Sequence, residues 1–440
     1  MIRTILLAAF LFTPSILCAQ TREELVRGDR KKVEADGFWI YNDLPAAFEQ
    51  AKREHKPIIV VLRCIPCHEC VKLDDDLVDK DPVIRPLLEK FVRARQVSTN
   101  GLDLNLFQYD TDQSFAVFLL NADGTIYGRF GTRSHRTEWY GDVSLEGLAK
   151  AMQGALDLHR DYANVKSSLA GKRGQPMEVS APEKFPRLKD KFTDKLNYEG
   201  DVVKSCIHCH QIGEAQRAWY WDQRKPIPEK VFYPFPHPKS VGLILDPAEK
   251  ATVKSVQPGS AAEQARLKAG DEIVTFDGQP MLSFADVQWV LHNADADGAS
   301  IPMQVRRGDK LGTLTLTLDS GWRRASDISW RASTWSLRRM ATGGLVLEPL
   351  PDEEREALQL SDDRMALVVK RVGQYGPHAA GKRAGFKEGD VIVEYDGRND
   401  LMDNAAVLFH AITHRQVGDH VDVAVIRNGE QKTLKLPMQE

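Results

Sequence analysis

Residues 269–278 read AGDEIVTFDG, and residues 388–397 read EGDVIVEYDG. In both stretches a Gly-Asp turn precedes an apolar strand that closes at Asp-Gly, a pattern typical of a small sheet of short strands. The likeness extends to the preceding residues, where Val253-Lys-Ser-Val256 and Pro258-Gly-Ser-Ala-Ala262 correspond to Val368-Val-Lys-Arg-Val372 and Gly376-Pro-His-Ala-Ala380. The chain therefore contains an internal repeat with a spacing of about 120 residues.

Each copy is followed by a predicted amphipathic helix, over 284–294 in the first and 405–414 in the second. The pattern resembles bacterial-type PDZ domains over 240–318 and 341–438. The resemblance implies a carboxylate-binding loop before the second strand, matched by Val241-Gly242-Leu243-Ile244 and by Gly343-Gly344-Leu345-Val346. Glycine lets backbone amides converge on a terminal carboxylate, while the strand edge adds the peptide as an extra strand. C-terminal or extended peptides of envelope proteins are the expected ligands, and packing against the rest of the chain without a ligand is the alternative.

Many bacterial PDZ domains belong to serine proteases, whose nucleophile lies in a recognisable sequence motif. The chain contains no Gly-x-Ser-x-Gly and no Gly-x-Ser-Gly-Gly stretch. Ser320-Gly321 stands at the end of a predicted PDZ strand, where a nucleophile would have no site. We expect the protein not to be a serine protease.

The N-terminus resembles a secretory signal over 1–19. A charged start at Arg3 is followed by the apolar run Ile5–Phe12 and by a small-residue end at Ala19. Cleavage near Ala19 is favoured over lipid attachment at Cys18, because the residue before that cysteine is not small. No later apolar run approaches the roughly 20 residues that cross a bilayer. The sequence predicts a periplasmic or secreted protein without a transmembrane span.

The length, charge and cysteine positions of the chain limit its domain number, its partners and its chemistry. A chain of 440 residues is too long for one ordinary core, so several domains are expected. Its formal net charge is -3, which excludes the broad basic surface that binding to nucleic acid requires. Apart from Cys18, the cysteines form two tight clusters rather than a spread disulfide framework, which favours chemistry at sites.

The first cluster is Cys64-Ile-Pro-Cys67, directly after the apolar run Ile58–Leu62. A helix over 43–55 is predicted before that run, and a helix over 83–92 after the cluster. A strand over 115–120, an Asp123-Gly124 turn and a strand over 125–130 follow. This order resembles a thioredoxin-like domain, which implies a redox-active disulfide between Cys64 and Cys67 and thiol–disulfide oxidoreductase activity.

Two positions depart from the thioredoxin pattern. Arg63 stands where tryptophan is usual, and Gln113-Ser114 stands where the family has its cis-proline. That proline also shields the sulfurs from metals, and here His68 and Cys70 lie close in sequence to Cys67. Capture of copper or zinc by Cys64, Cys67, His68 and Cys70 is therefore an alternative, as is a structural disulfide.

The second cluster is Cys206-Ile-His-Cys209-His210, which has the spacing of the c-type haem motif. The resemblance implies a haem c held by thioethers to Cys206 and Cys209, with iron bound by His210. No methionine stands between His210 and Met281, so His237 is the expected sixth ligand, and nearby aromatic residues are expected to cover the haem. A zinc site and a second redox disulfide are the alternatives.

The complete prediction is a multidomain chain of α/β and α+β class. Its parts are a signal peptide (1–19), a thioredoxin-like α/β sandwich (36–156), a linker (157–200), a haem-motif segment (201–239), a small PDZ β-barrel or sandwich (240–318), a Trp/Arg-rich linker (319–340) and a second PDZ domain (341–438). Its expected function is thiol redox chemistry or electron transfer on partners selected by the PDZ domains. A non-enzymatic adaptor with structural or metal-binding cysteines is the alternative.

Overall fold

The computed structural model describes residues 21–63, 65, 81–113, 115–132 and 143–439. The expected signal peptide lies outside these residues, as do Cys64, Cys67, His68 and Cys70.

The first domain is a five-stranded sheet flanked by helices. Its elements are Arg22–Asp36 (α1), Ile40–Tyr41 (β1), Leu44–Glu54 (α2), Ile58–Arg63 (β2), Ile84–Leu88 (α3), Val92–Gln96 (β3), Phe115–Leu120 (β4), Ile126–Thr132 (β5) and Leu145–Arg160 (α4). The strand order is β1-β3-β2-β4-β5, with β1, β3 and β2 parallel and with β4 and β5 antiparallel to their neighbours. This sheet agrees with the mixed α/β domain that the sequence predicts.

Strand β2 lies at the centre of the sheet and is buried on both faces. Its even-numbered apolar residues enter one hydrophobic cluster and its odd-numbered ones another, because successive strand residues point to opposite faces. Helix α2 covers the first face through Ala47 and Ala51, and helix α4 covers the second through Leu148 and Ala151. The predictions of a helix over 43–55 and of a buried strand after it are confirmed.

The predicted hairpin between β4 and β5 is also confirmed. Gly124 has a φ of +83°, which glycine adopts without strain, and the Asp123 carboxylate accepts the N–H of Thr125 at 3.0 Å. The helix predicted over 83–92 is wrong at its C-terminal end, because helix α3 ends at Leu88 and strand β3 begins at Val92. Arginines interrupt the apolar residues of β3, and Arg95 is buried over the ring of Trp39 at 4.4 Å.

The segment predicted as a linker, 157–200, packs against the first domain. It contains Tyr162–Val165 (α5) and two short 3-10 helices, Lys166–Lys172 and Pro182–Lys184. Apolar side chains spaced irregularly along it enter the hydrophobic clusters: Leu169, Val179, Phe185 and Leu188. Because their spacing matches neither a helix nor a strand, periodicity gives no signal for this packing.

Two helices and the first repeat copy come next in the chain. The helices are Cys209–Asp222 (α6) and Glu229–Phe232 (α7). The first copy comprises Leu243–Leu245 (β6), Val253–Val256 (β7), Ala261–Gln264 (α8), Glu272–Phe276 (β8), Gln279–Pro280 (β9), Phe284–Asn293 (α9), Ala299–Arg307 (β10) and Lys310–Leu318 (β11). Strands β6 and β7 pair with each other, and β11-β10-β8-β9 form a four-stranded sheet.

The second copy follows Thr334–Thr342 (α10). It comprises Leu345–Pro349 (β12), Asp352–Ala357 (α11), Leu367–Val372 (β13), Ala380–Arg383 (α12), Val391–Tyr395 (β14), Asn404–His414 (α13), His420–Arg427 (β15) and Glu430–Pro437 (β16). Its sheet has the order β12-β13-β14-β15-β16. Helices α9 and α13 confirm the helices predicted after each copy.

The repeated Gly-Asp turn has the same structural role in both copies. Asp271 accepts the N–H of Lys268 at 2.8 Å and pairs with Arg307 at 2.7 Å. Asp390 accepts the N–H of Lys387 at 2.9 Å and pairs with an arginine of β15 at 2.6 Å. Each buried carboxylate therefore joins its turn to a neighbouring strand, which explains why the turn sequence recurs.

The first repeat copy packs on the five-stranded sheet of the first domain through helix α9. All eight residues from Phe284 to Leu291 are buried. The Arg129 N–H donates to the Asp286 carboxylate at 3.1 Å, and the Trp289 indole N–H donates to the Gly171 carbonyl at 2.8 Å. These contacts join β5 and the segment after α4 to the repeat.

The Trp/Arg-rich segment 319–340 packs between the two copies. Trp322 lies against the hydrophobic cluster of the first copy and donates its indole N–H to the Asp295 carbonyl at 2.7 Å. Trp335, which is half-exposed, lies edge-on to His378 of the second copy. The two tryptophans therefore pack against different copies of the repeat.

Candidate functional site

Of the Cys64–Cys67 motif, the structure describes Ile65. This side chain is 3% exposed and lies in a small apolar cluster with Val26, Val97 and Val202. Val97 directly follows β3, and Val202 precedes Cys206 by four residues. The middle of the first cysteine motif and the approach to the second are therefore packed together at the carboxyl ends of the parallel strands.

The second cysteine segment is fastened to the residues that follow β3. Asn100 accepts the N–H of Ile207 at 2.9 Å and donates its amide N–H to the Ser205 carbonyl at 3.0 Å. The Thr99 hydroxyl donates to the Ile207 carbonyl at 2.8 Å. Both residues are buried, so the peptide backbone between the two cysteines is held in a fixed position.

Cys206 and Cys209 have different surroundings. Cys206 is 7% exposed, and burial raises the pKa of its thiol from 9.0 to about 12. Cys209 is less buried and is the first residue of helix α6, where its Sγ accepts the hydroxyl hydrogen of Tyr109 at 3.1 Å. Cys209 is therefore the thiol with the polar and more accessible environment.

His210 lies in the first turn of α6 with its ring partly exposed. Its Nδ1 is 3.1 Å from a carboxylate oxygen of Glu214, one turn along the helix. Because a carboxylate accepts hydrogen bonds, Nδ1 is the donor and Nε2 of the neutral ring keeps its lone pair. The ring of His208 is parallel to that of His210, with centroids 5.9 Å apart. Burial lowers the pKa of His208.

The aromatic residues expected to cover a haem belong to separate hydrophobic regions. Trp219 packs on the first domain, whereas Trp221 and Phe232 pack on the second repeat copy. Phe235 stacks on His292 of the first copy, with ring centroids 4.0 Å apart. These four side chains fill contacts between domains instead of forming one wall beside His210.

His237 lies at the beginning of the first repeat copy. Its Nδ1 accepts the N–H of Lys239 at 3.0 Å, and its ring is 4.9 Å from that of Phe284. These contacts place it beside the first repeat copy, whereas His210 lies on helix α6, which packs on the first domain. Across the described ranges, no group of three or more His, Cys, Asp or Glu side chains is arranged to hold a metal ion.

The two loops expected to bind a carboxylate begin with glycines in the left-handed region. Gly242 has a φ of +79° and Gly344 a φ of +87°. Their own N–H groups donate to the carbonyls of Lys239 and Arg338, at 2.9 and 3.0 Å. The glycines therefore shape the loops, and the next amides, at Leu243 and Leu345, are the first that could face a ligand. Strands β6 and β12, which carry Ile244 and Val346, lie at sheet edges.

Sequence reasoning missed several residues that build this site. Thr99, Asn100 and Tyr109 lie about 100 residues before the segment that they hold, and no motif marks them. Glu214 is different, because two residues four apart meet on a helix, and His210 and Glu214 both lie on α6.

Comparison with known proteins agrees with this architecture. The thioredoxin-like family model matches residues 39–122, and the PDZ domain model matches residues 234–318 and 357–438. The chain therefore contains a thioredoxin-like domain and two PDZ domains.

Related proteins share parts of the chain. The "Probable periplasmic serine endoprotease DegP-like" of Marinomonas sp. (strain MWYL1) is 26% identical over 185 residues, which are 42% of this chain and 36% of the relative. The regulator of sigma-E protease RseP of Escherichia coli (strain K12) is 38% identical over 74 residues, 17% of this chain and 16% of the relative. The chain thus spans less than two fifths of the length of these relatives.

Among solved structures, an HtrA-type protease AlgW with tripeptide is 26% identical, with a TM-score of 0.19. The match covers 22% of this chain and 30% of that one. Within the described residues, no helix is long and apolar enough to span a membrane.

Proposed function

We propose that this protein is an exported redox protein that acts on partners selected by its PDZ domains. In this proposal Cys64 and Cys67 carry out thiol–disulfide exchange, and the Cys206–His210 segment holds a second redox group, a haem c, beside them. The main support is the position of Ile65, which packs against Val202 and Val97. This packing links the thioredoxin-like motif to the second cysteine segment through one apolar contact.

The residues around the second segment would hold its backbone rigid. Thr99 and Asn100 bind the peptide groups of residues 205 and 207, so the cysteine spacing is held by buried hydrogen bonds. Rigid placement reduces the rearrangement that accompanies electron or thiol exchange, because little backbone motion is needed. The Tyr109 hydroxyl provides a hydrogen bond to the sulfur of Cys209.

Cys206, Cys209 and His210 are the residues that would hold a haem. Cys206 and Cys209 would form the thioethers, and His210 would bind the iron through Nε2 while Glu214 holds Nδ1. A carboxylate on the second nitrogen fixes the ring orientation of a metal-binding histidine and raises its basicity. Bound haem would supply one-electron chemistry beside a two-electron dithiol. The aromatic residues named above do not supply its cover, and His237 stays a prediction for the sixth position.

The PDZ domains would select the partner. Edge strands β6 and β12 each offer unpaired backbone groups to an extended peptide, and the glycine loops stand at the beginning of each strand. We propose a periplasmic or secreted location, in keeping with the N-terminal sequence and with the word periplasmic in the name of the Marinomonas relative. The protease activity in the relatives' names is not carried over, because this chain lacks the nucleophile motifs.

Two measurements on periplasmically matured protein test the proposal. An ultraviolet–visible spectrum should show a haem that stays on the chain after denaturation. Thiol trapping across a glutathione redox series should show a two-electron transition that Cys64→Ser abolishes. Both results are expected from the redox protein. A colourless protein with one zinc per chain and no two-electron transition would move the function to the adaptor class.

A second candidate for the Cys206–Cys209 segment is a redox-active thiol pair. The hydrogen bond from Tyr109 to Cys209 at the first residue of α6 favours it, because a helix N-terminus stabilises a thiolate. In haem-free protein, a second two-electron transition that Cys209→Ser removes and Cys64→Ser leaves in place would support this candidate.

A further inference from the structure

Helix α9 of the first PDZ domain is covered on several sides by other parts of the chain. Val287 and Leu291 enter the core of the domain beside Leu243 of the edge strand β6. On another side of the helix, Asp286 and Trp289 are bound by the first domain and the segment after it. The first eight residues of α9 are all buried, so this helix presents little surface to an incoming peptide.

A third side of α9 is covered by residues 234–237, here called the cover segment, which lead into the first glycine loop. This side consists of three residues spaced four apart: Phe284, Gln288 and His292. The ring of Phe235 stacks on His292 with centroids 4.0 Å apart, and the ring of His237 lies 4.9 Å from that of Phe284. The cover segment therefore runs along this face of the helix.

The backbone of Phe235 is also held by α9. Its N–H donates to His292 Nδ1 at 3.2 Å, and its carbonyl accepts the amide N–H of Gln288 at 3.2 Å. Its φ is +45°, in the left-handed region that a bulky side chain rarely adopts. Such a conformation costs free energy and persists only where the surroundings enforce it. Phe235 is therefore held in place by side chains of α9, which a competing peptide could engage instead.

We propose that the cover segment is an internal competitor of the first PDZ domain, which a peptide must displace before it can lie between β6 and α9. Among the described strands β6 pairs with β7 alone, so its outer edge can accept an added strand. The core and the buried pair of Lys172 with Asp286 hold the other sides of α9, so the cover segment is the part that can move. This inference rests on the proposed peptide binding and adds that the first PDZ domain regulates its own access.

Peptide binding in a Gly344→Ala background tests the proposal, because the second PDZ domain is disabled there. The probe is a library of labelled hexapeptides with free C-termini. Phe235→Ala removes the stacked ring and leaves β6 and α9 unchanged, so the tightest binder should gain about tenfold in affinity. Phe185→Ala is the matched control, because it removes a buried ring from a different hydrophobic cluster and should leave the affinity unchanged.

Hydrogen exchange in the same Gly344→Ala background keeps the test valid if Phe235→Ala does not fold. Residues 234, 236 and 238 are prolines, so Phe235 and His237 carry the only N–H groups of this stretch. A saturating library peptide should speed the exchange of the Phe235 N–H, which loses its acceptor on His292. The N–H of Leu291, inside α9, is the reference and should stay protected.

The proposal is overturned if Phe235→Ala leaves the affinity unchanged, or if saturating peptide leaves the exchange of the Phe235 N–H unchanged. The original protein, with both PDZ domains intact, is titrated with the same library. Binding there without any gain in Phe235→Ala overturns the internal competitor alone. No binding by the original protein or by any variant overturns the proposed peptide recognition as well.

Discussion

Lys172 and Asp286 form an ion pair with both side chains fully buried, Nζ lying 2.9 Å from Oδ1. Asp286 also accepts the N–H groups of Arg129 at 3.1 Å and Leu282 at 3.0 Å. The pair joins the segment after the thioredoxin-like domain to the helix α9 of the first PDZ domain. Burial lowers the pKa of Lys172, so its charged form depends on the partner carboxylate.

Removing one member of this pair should destabilise the junction strongly. Lys172→Met removes the ion-pair partner of a buried carboxylate, and a loss of about 3–5 kcal/mol in the free energy of unfolding is expected. The double variant Lys172→Met with Asp286→Leu should recover little of that loss, because the buried Arg129, whose charged form Asp286 stabilises, would then lack its carboxylate. Urea unfolding followed by tryptophan fluorescence measures both.

The exposed pair of Lys166 and Asp123 is the matched control, since its Nζ–O distance of 3.1 Å is similar. Lys166→Met should change the urea midpoint far less, because water screens exposed charges. Equal losses for Lys166→Met and Lys172→Met would show that the buried pair does not hold the junction.

The contrast between local and distant contacts explains how far the sequence could predict this molecule. The hairpin at Asp123-Gly124 and the repeated Gly-Asp turns depend on residues three or fewer apart, so their signals are visible in the sequence. Arg331 instead pairs with Asp110, 221 residues earlier, and only the folded chain brings them together. The contact between the two cysteine segments is also non-local, because Ile65 and Val202 are far apart in the sequence and meet only in the folded chain.

The second PDZ domain should bind free peptide C-termini, and Gly344 should be required. A Cβ at Gly344 would lie 2.1 Å from the His378 carbonyl oxygen, so Gly344→Ala should distort the loop and abolish binding. Gly389→Ala is the control, because Gly389 has nearly the same φ, +88°, but open space around it. Titration with C-terminal peptides beside amidated versions checks this. Peptides that bind equally well with a free and with an amidated C-terminus would contradict the assignment of this loop as a carboxylate-binding loop.

The first PDZ domain should bind such peptides more weakly. Its edge strand β6 has three residues, whereas β12 has five, so fewer backbone hydrogen bonds are available to an added strand. Gly242→Ala, in which the new Cβ would lie 2.1 Å from Ser260, should therefore leave most peptide binding intact. If Gly242→Ala removed most of the peptide binding and Gly344→Ala did not, the first PDZ domain would be the stronger binder of the two.

In the proposed haem site, Glu214 should tune the reduction potential without being needed for haem attachment. Glu214→Gln removes the charge near His210 Nδ1, so the ligand becomes less basic and the reduction potential should rise, with both thioethers kept. His210→Ala should impair attachment or change the ligation spectrum, and Cys206→Ala should leave one thioether or no haem. Redox titration and the spectrum of the denatured protein measure these effects. Asp222→Asn, at the other end of α6, is the control and should leave the potential unchanged.

Stability of the haem-free, reduced protein should fall in alkaline solution because of Cys206. Burial raises the pKa of its thiol from 9.0 to about 12 in the folded chain. Between these values the unfolded chain loses the thiol proton while the folded chain keeps it, so the unfolded state is favoured as pH rises. The stabilisation is complete below about pH 9, and its loss approaches 1.4 kcal/mol per pH unit within the window.

Urea unfolding at several pH values, for the original protein and for Cys206→Ser, isolates this contribution. Serine does not titrate in this range, so the stability difference between the two proteins should shrink by about 1 kcal/mol from pH 8.5 to pH 10. Cys206→Ala should give the same pH dependence as Cys206→Ser, because neither side chain has a thiol. A difference that stays constant with pH would mean that the thiol of Cys206 is not buried as the structure places it.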